Sequence, residues 1–337
     1  MIKQFVYGLF ERVYLALTSY MAASGLILCA TPMRSSDFRS IVEPILNQAF
    51  DGVYDQRADE YKQVFSEETG IARAYHEEPM LYGMGSAPVM PDSNPVVYDA
   101  GGQLFVKRYP YDVYGLAFAL TKVLVEDGDH IRIGSTFSKH LAQSMTETLE
   151  TVCANDLNRA FNATYTGGDG SALCVNNHAA ALTVAAGDAS ASNLLATSAV
   201  LSQTSLEQML IQIRQAADPR GKKIRLTPKK LIVAPGNMLQ AEVLLKSVLR
   251  AGTNNNDLNP VKSMGMLSDV VVLSRLTSAT AWFVQTDAAN GMSLKWRRKI
   301  EKTMEGDFES DSVRYKSTMR FGHGWTDWRA MFGTPGT

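Results

Sequence analysis

The chain is short of the features that mark most functional classes. Three cysteines, Cys29, Cys153 and Cys174, in 337 residues are too few and too scattered for a disulfide framework. No two of them form CxxC, and no Cys/His pair has zinc-finger spacing. Charge of one sign is missing as well. Lys and Arg number 33 against 34 Asp and Glu, for a net charge of −1, so there is no basic footprint for nucleic acid and no acidic tail. GxGxxG, GxxxxGK[ST], HExxH and GxSxG are all absent. The five histidines (His76, His130, His140, His178, His323) are spread out, with no ligand pair at i, i+4. A reducing compartment fits this cysteine usage. No metal, no cofactor and no enzymatic activity are expected.

What is present is the ordinary balance of a folded protein, 45% hydrophobic and 20% charged. One run breaks it. Val13–Met33, "VYLALTSYMAASGLILCATPM", carries no charge and has the length of a bilayer span. Its Thr, Ser, Tyr and Gly content makes its hydropathy borderline, Glu11 spoils a basic start, and "LCATPM" is a poor cleavage site. Three readings stay open: an export or anchor signal, an apolar arm packed on a partner, or translated leader upstream of a true start at Met33. "MRSSDFRSIVEPILNQAF" has the form of a protein's head, with Ser36 or Asp37 as cap. Behind the cap, Phe38, Ile41, Val42, Ile45, Leu46, Ala49 and Phe50 recur at helical spacing, with Pro44 as a kink.

Residues 57–75 read as a polar connector with a short strand around Tyr61–Phe65. Next, "PVVYDA" and "GQLFVKRYPYDVYGLAFAL" carry strand-forming residues on either side of "DAGG", a turn signal. They predict a two-stranded arm with its tip near Asp99–Gly102, rooted at Met80 and Tyr114. An isolated hairpin is marginal in water, so such an arm must lie on something, such as another subunit. From Asp129 to Ala163, Phe137, Leu141, Met145, Leu149, Val152, Leu157 and Phe161 form one apolar stripe opposite a polar face. The spacing predicts a helix of about 25–30 residues, against a usual ~11–12, closed at "TYTGGDG".

The second half alternates helix and strand: helix Leu206–Ala217, strand Lys230–Ala234, a helix over "NMLQAEVLLKSVLRAG" closed by Gly252, and strands in "DVVVLSRL" and "AWFVQT". A basic strand from Lys295, a turn around Gly306 and a long strand to Phe321 follow. Asp169, Cys174 and His178 invite a nucleophile-and-base reading, but no orienting third group is identifiable and loop geometry is the better account. Two basic clusters, Lys222–Arg225 with Lys229-Lys230 and Lys295–Lys299, read as solvated strand ends or intersubunit salt bridges ahead of phosphate contacts.

Taken in order, these elements resemble the HK97-type major capsid proteins of tailed bacteriophages. The resemblance runs from about Met33 to the C-terminus. It is carried by "PMLYGMGSAPVMPDSNPVVYDAGG", "GQLFVKRYPYDVYGLAFALTKVLVEDG", "STFSKHLAQSM", "GDGSALCVNNHAA" and "LTPKKLIVAPGNMLQAEVLL". It implies an α+β fold with an N-terminal arm (1–56, of which 1–32 need not be native), a connector (57–75) and an extended E-loop hairpin (76–115). A peripheral domain with a spine helix (116–166), an α/β axial domain (167–294) and a return to the peripheral domain (295–337) complete it. The function implied is a non-enzymatic shell subunit that builds an icosahedral head from pentamers and hexamers around double-stranded DNA. The virion is its location and the host cytoplasm its place of assembly. Leu104, Phe105, Val106, Lys107, Arg108 and Tyr109 would lie on a neighbouring subunit, and Asn254, Asn255, Asn256 and Asp257 near the capsomer axis. Partners would be other copies, a separate scaffolding protein, a portal, a decoration protein and weakly held DNA, with no membrane. Some relatives join subunits by a Lys–Asn isopeptide bond. Lys107 is placed in the hairpin, but no matching Asn and acid can be assigned. An encapsulin-like nanocompartment shares the fold and is the alternative. A membrane-anchored or secreted protein, resting on residues 13–33 alone, is the alternative of another class.

Overall fold

The computed structural model describes residues 35–55, 59–92, 95–121, 123–124, 127–128, 130–178, 192–250, 257–307 and 312–336. Val13–Met33 and Asn254–Asn256 lie outside them. Helix α1 (Ser35–Tyr54) runs through Pro44, which sits on the exposed face. It buries Val42, Leu46 and Phe50 against α2 (His130–Asn158), the long helix anticipated from the stripe. The stripe itself is Leu141, Met145, Leu149, Cys153 and Leu157, a strict four-residue step that brings each side chain above the last. Phe137 is 47% exposed and Val152 only half-buried, so the stripe is narrower than the sequence suggests. Truncating Leu46 or Leu149 to Ala costs about 2–5 kcal/mol at such sites.

A four-stranded sheet lies against these helices in the order β1 (Ser66–Glu68), β8 (Met292–Asp307), β9 (Ser312–Trp325), β4 (Asp112–Leu120). Only β1 and β8 run parallel. A second four-stranded sheet has the order β10 (Met331–Thr334), β7 (Trp282–Thr286), β5 (Pro228–Val233), β6 (Asp269–Val272). It is packed by α3 (Gln203–Gln215), α4 (Met238–Lys246) and the short α5 (Pro260–Met264) around a separate core of Leu206, Met209, Ile213, Leu231, Trp282 and Phe332. Ser202 caps α3 through the backbone N–H of Ser205. A two-stranded ribbon, β2 (Tyr75–Tyr82) with β3 (Gly102–Pro110), forms the arm.

Several boundaries differ from expectation. Residues Tyr61–Gln63 form a 3-10 turn, held by Glu150 of α2, where a strand was expected. Helix α4 stops at Lys246, well before Gly252. The chain then doubles back, with Leu249 bridging Leu258. Gly306 lies inside β8, paired with Val313, so the turn comes later than expected. The partner of β3 is Tyr75–Tyr82, whose polar alternation hid it, and not "PVVYDA". The 83–101 span between them contains no strand among its described residues. The long run after Gly102 is also two strands. At Pro110–Tyr111 the chain leaves the arm and enters the large sheet, where β4 pairs with β9. Because β1 and β4 are the two edges of that sheet, the arm's two legs rise from opposite edges.

Candidate functional site

The arm presents two chemically different ends. At its root, Tyr109 is fully buried and donates to Thr326 Oγ1 at 2.6 Å. The Thr326 hydroxyl in turn donates a hydrogen bond to Glu78 Oε2 at 2.8 Å. The ammonium of Lys295, on β8, lies 2.9 Å from Glu68 Oε2 and 3.4 Å from Glu78 Oε2, and 4.9 Å from the centre of the Tyr109 ring. Lys295 is 0% exposed. A buried ammonium is tolerated because two carboxylates and an aromatic face replace its water. These groups come from β1, β2, β3, β8 and the end of the large sheet, so the network stitches the arm to the body. Burial, opposed by the Thr326 hydrogen bond, raises the Tyr109 phenol above its usual range.

Two glycines allow this close packing. A Cβ at Gly322 would stand 2.4 Å from the Pro110 carbonyl oxygen, where the arm crosses β9. A Cβ at Gly168 would stand 2.6 Å from the Phe105 ring, which lies on the glycine loop after α2. Lys107 is held there too, donating to the Thr166 carbonyl at 3.1 Å with its ammonium 5.2 Å from the Trp325 ring. Burial pulls its pKa down, against the pull of Asp156 and Asp169. Leu104 and Phe105 are half-buried, while Val106 and Arg108 face solvent. Tyr109 has no surface left to offer a neighbour in this conformation, so its part is to root the arm.

At the far end the chemistry reverses. Met84, Val89, Met90, Val96, Val97 and Tyr98 are all largely exposed, with Tyr98 97% open to water. So dense an apolar patch on one loop marks an interaction surface.

Beneath the root, the connector meets α2. Glu150, buried on α2, accepts the backbone N–H groups of Glu60 at 2.8 Å and Tyr61 at 3.1 Å. Arg275 binds Glu147 through two nitrogens at 2.9 and 2.6 Å and reaches Glu60 at 3.3 Å. Burial raises the Glu150 carboxyl to about 7, opposed by Arg275 and by the two backbone donors.

The remaining sequence candidates separate. Asp257 is exposed at the neck of the 250–257 loop, where its carbonyl accepts the Arg250 N–H at 2.8 Å. Asp169 and His178 do meet, at 2.7 Å, and the other ring nitrogen lies 3.0 Å from Asn193 Oδ1. Asn193 is the third group that the spacing could not reveal. Its amide also donates to the carbonyls of Leu173, Trp328 and Met331, and the His178 ring stacks on Trp328 at 4.1 Å. With both imidazole nitrogens engaged and the Cys174 thiol buried and pushed up by burial, this cluster fastens a loop to the second sheet and offers no free base. The basic run from Lys295 divides: Lys295 points inward, Arg297 donates to the Ile71 carbonyl at 2.7 Å, and Arg298 to Thr318 at 3.0 Å. Among the described residues no His, Cys, Asp and Glu group is arranged to hold a metal, and no helix is long and apolar enough to cross a membrane.

An arm lifted from both edges of one sheet, a 29-residue helix beneath it and a second small sheet define the HK97-type shell fold. The capsid of the Cyanophage P-SCSP1u superposes with a TM-score of 0.54 at 11% identity, over 83% of this chain and 89% of that one. The Mycobacterium phage Patience structure gives 0.51 at 10% identity, over 88% and 86%. At such identities the likeness is one of fold. A family model, that of phage capsid protein, matches residues 107–333, more than half of the chain, and the protein belongs to that family. It is a capsid shell subunit; the nanocompartment alternative is not favoured. No curated protein matches the chain.

Proposed function

We propose that the chain assembles through pentamers and hexamers into an icosahedral head that encloses double-stranded DNA, with the β2–β3 arm as the E-loop lying on the next subunit. The observation that carries this reading is the uncovered apolar tip, which a lone chain leaves in water and a second copy would cover. Helix α2 is then the spine of a peripheral domain, and the β10–β7–β5–β6 sheet the core of an axial domain. Asp257, beside the bridge of Leu249 and Leu258, would lie near the capsomer axis. The role is structural and without catalysis, assembly takes place in the host cytoplasm, and a separate scaffolding protein and a portal are the further partners. Contact with DNA is weak and non-specific, in keeping with a net charge of −1. Electron microscopy of the expressed chain, with its scaffold supplied, tests this. Closed shells or rings of five and six support it, while a protein that stays monomeric with and without residues 1–32 sinks it.

A further inference from the structure

The tip loop is tied back to its own chain at one place. Asp99 closes the loop's neck, its Oδ2 accepting the Gly85 N–H at 2.6 Å and its Oδ1 the Ala100 N–H at 2.8 Å. Onto this neck reach two cations from the turn between α3 and β5. Arg220 binds Asp99 Oδ2 through Nη1 and the Ala100 carbonyl through Nη2 at 2.7 Å, and its guanidinium lies 5.2 Å from the Tyr82 ring. Lys222 donates to the Met84 carbonyl. The turn has bonds of its own that do not involve the arm. One carboxylate oxygen of Asp218 accepts the N–H groups of Arg220 at 2.9 Å and Lys222 at 2.8 Å, the Asp218 N–H donates to the Lys222 carbonyl at 2.7 Å, and Arg329 holds the Ala217 carbonyl at 3.0 Å.

Isolated surface ion pairs contribute little, but several charge-assisted bonds from one preorganised turn to one neck act together. We propose that the Arg220–Lys222 turn is a docking site for the neck of the arm loop. The contact is made within a single subunit before assembly, and it holds Val89, Met90, Val96, Val97 and Tyr98 ready for a second copy of the chain. The docking itself does not depend on the shell reading; its use in assembly rests on that reading. The Arg220 side chain is 22% exposed and that of Asp99 42%, so salt reaches the pair and weakens it.

Hydrogen–deuterium exchange on the full-length unassembled chain tests the proposal. In R220E/K222E, residues 84–101 should exchange about tenfold faster than in wild type at low salt, while 216–224 keep their protection through Asp218. D99N, which keeps an acceptor for Gly85, should give a smaller rise. Raising salt to about 1 M should speed exchange of 84–101 in wild type and leave R220E/K222E unchanged. Equal exchange at 84–101 in wild type and R220E/K222E at low salt overturns the proposal. So does protection of 84–101 that appears only in assembled particles. Failure of the wild type to form any shell would overturn the shell reading instead, and would leave the exchange result standing.

Discussion

The root and the tip of the arm solve opposite problems. At the root a lysine is driven fully inside and matched by two glutamates, a tyrosine and a threonine, all from the same chain. At the tip, valines, methionines and a tyrosine stand largely in water. The first arrangement is costly to disturb in the lone subunit. The second costs nothing until a partner is present. The comparison teaches that this arm is anchored by polar chemistry and completed by apolar chemistry, the reverse of a domain that hides its oil and shows its charge.

The largest effect should come from breaking the root. Lys295→Met leaves the half-buried Glu78 without its cation, and thermal or denaturant unfolding should show a loss of about 1–3 kcal/mol. A loss below about 1 kcal/mol would mean that water reaches the site and the contrast with the tip is overstated. A smaller effect is expected one layer down. The folded-state pKa of Glu150 is raised from 4.5 to about 7, so its contribution is complete below about pH 4.5 and is lost as pH rises through about 7. Glu150→Gln should therefore flatten the fall of Tm between those pH values, by about 3 °C. A slope identical to wild type would remove Glu150 as its source. The smallest effect on the subunit should come from the tip. V97S/Y98S should shift unfolding by less than about 0.5 kcal/mol, as exposed positions do, yet reduce the yield of assembled particles in sedimentation. Strong destabilisation of the unassembled chain by this pair would show that the tip is not idle there, and would erase the distinction.

Much of this was legible in the residues. The four-residue step from Leu141 to Leu157 announces α2 because a helix repeats nearly every four residues, whatever its surroundings. The buried strands around Leu231 and Phe283 are equally local in signal. The arm was legible as an arm, but not in its pairing. "PVVYDA" has better strand propensity than "YHEEPMLY", and yet the latter pairs with β3. Its Glu78 is needed at the root, a requirement that belongs to Lys295, more than 200 positions along the chain. The corner at Tyr111 was hidden for a related reason: a strand that changes sheets keeps the same alternation on both sides of the change. Lys222 reads with its cluster as a solvated strand end or an intersubunit salt bridge, and Arg220 does not stand out, since nothing nearby in sequence shows that Asp99 comes to meet them. Asn193 carried no signal at all, because the five bonds of its side chain go to backbone and side-chain groups that only the fold assembles.

The two legs of the arm have a mechanical consequence. The chain enters the arm from β1 and leaves it into β4, so the two strands that hold it stand three strand spacings apart, roughly 14 Å, although the legs themselves are paired from Tyr75 and Pro110 onward. A rod on a single foot can swivel as well as lean. Once its neck is released from Arg220 and Lys222, a strap planted at two separated points would resist swivelling, because that would drag its ends in opposite directions across a bonded sheet, and it would keep one easy motion, rocking about the line that joins them. Whatever the tip meets, it meets along an arc set by the width of that sheet.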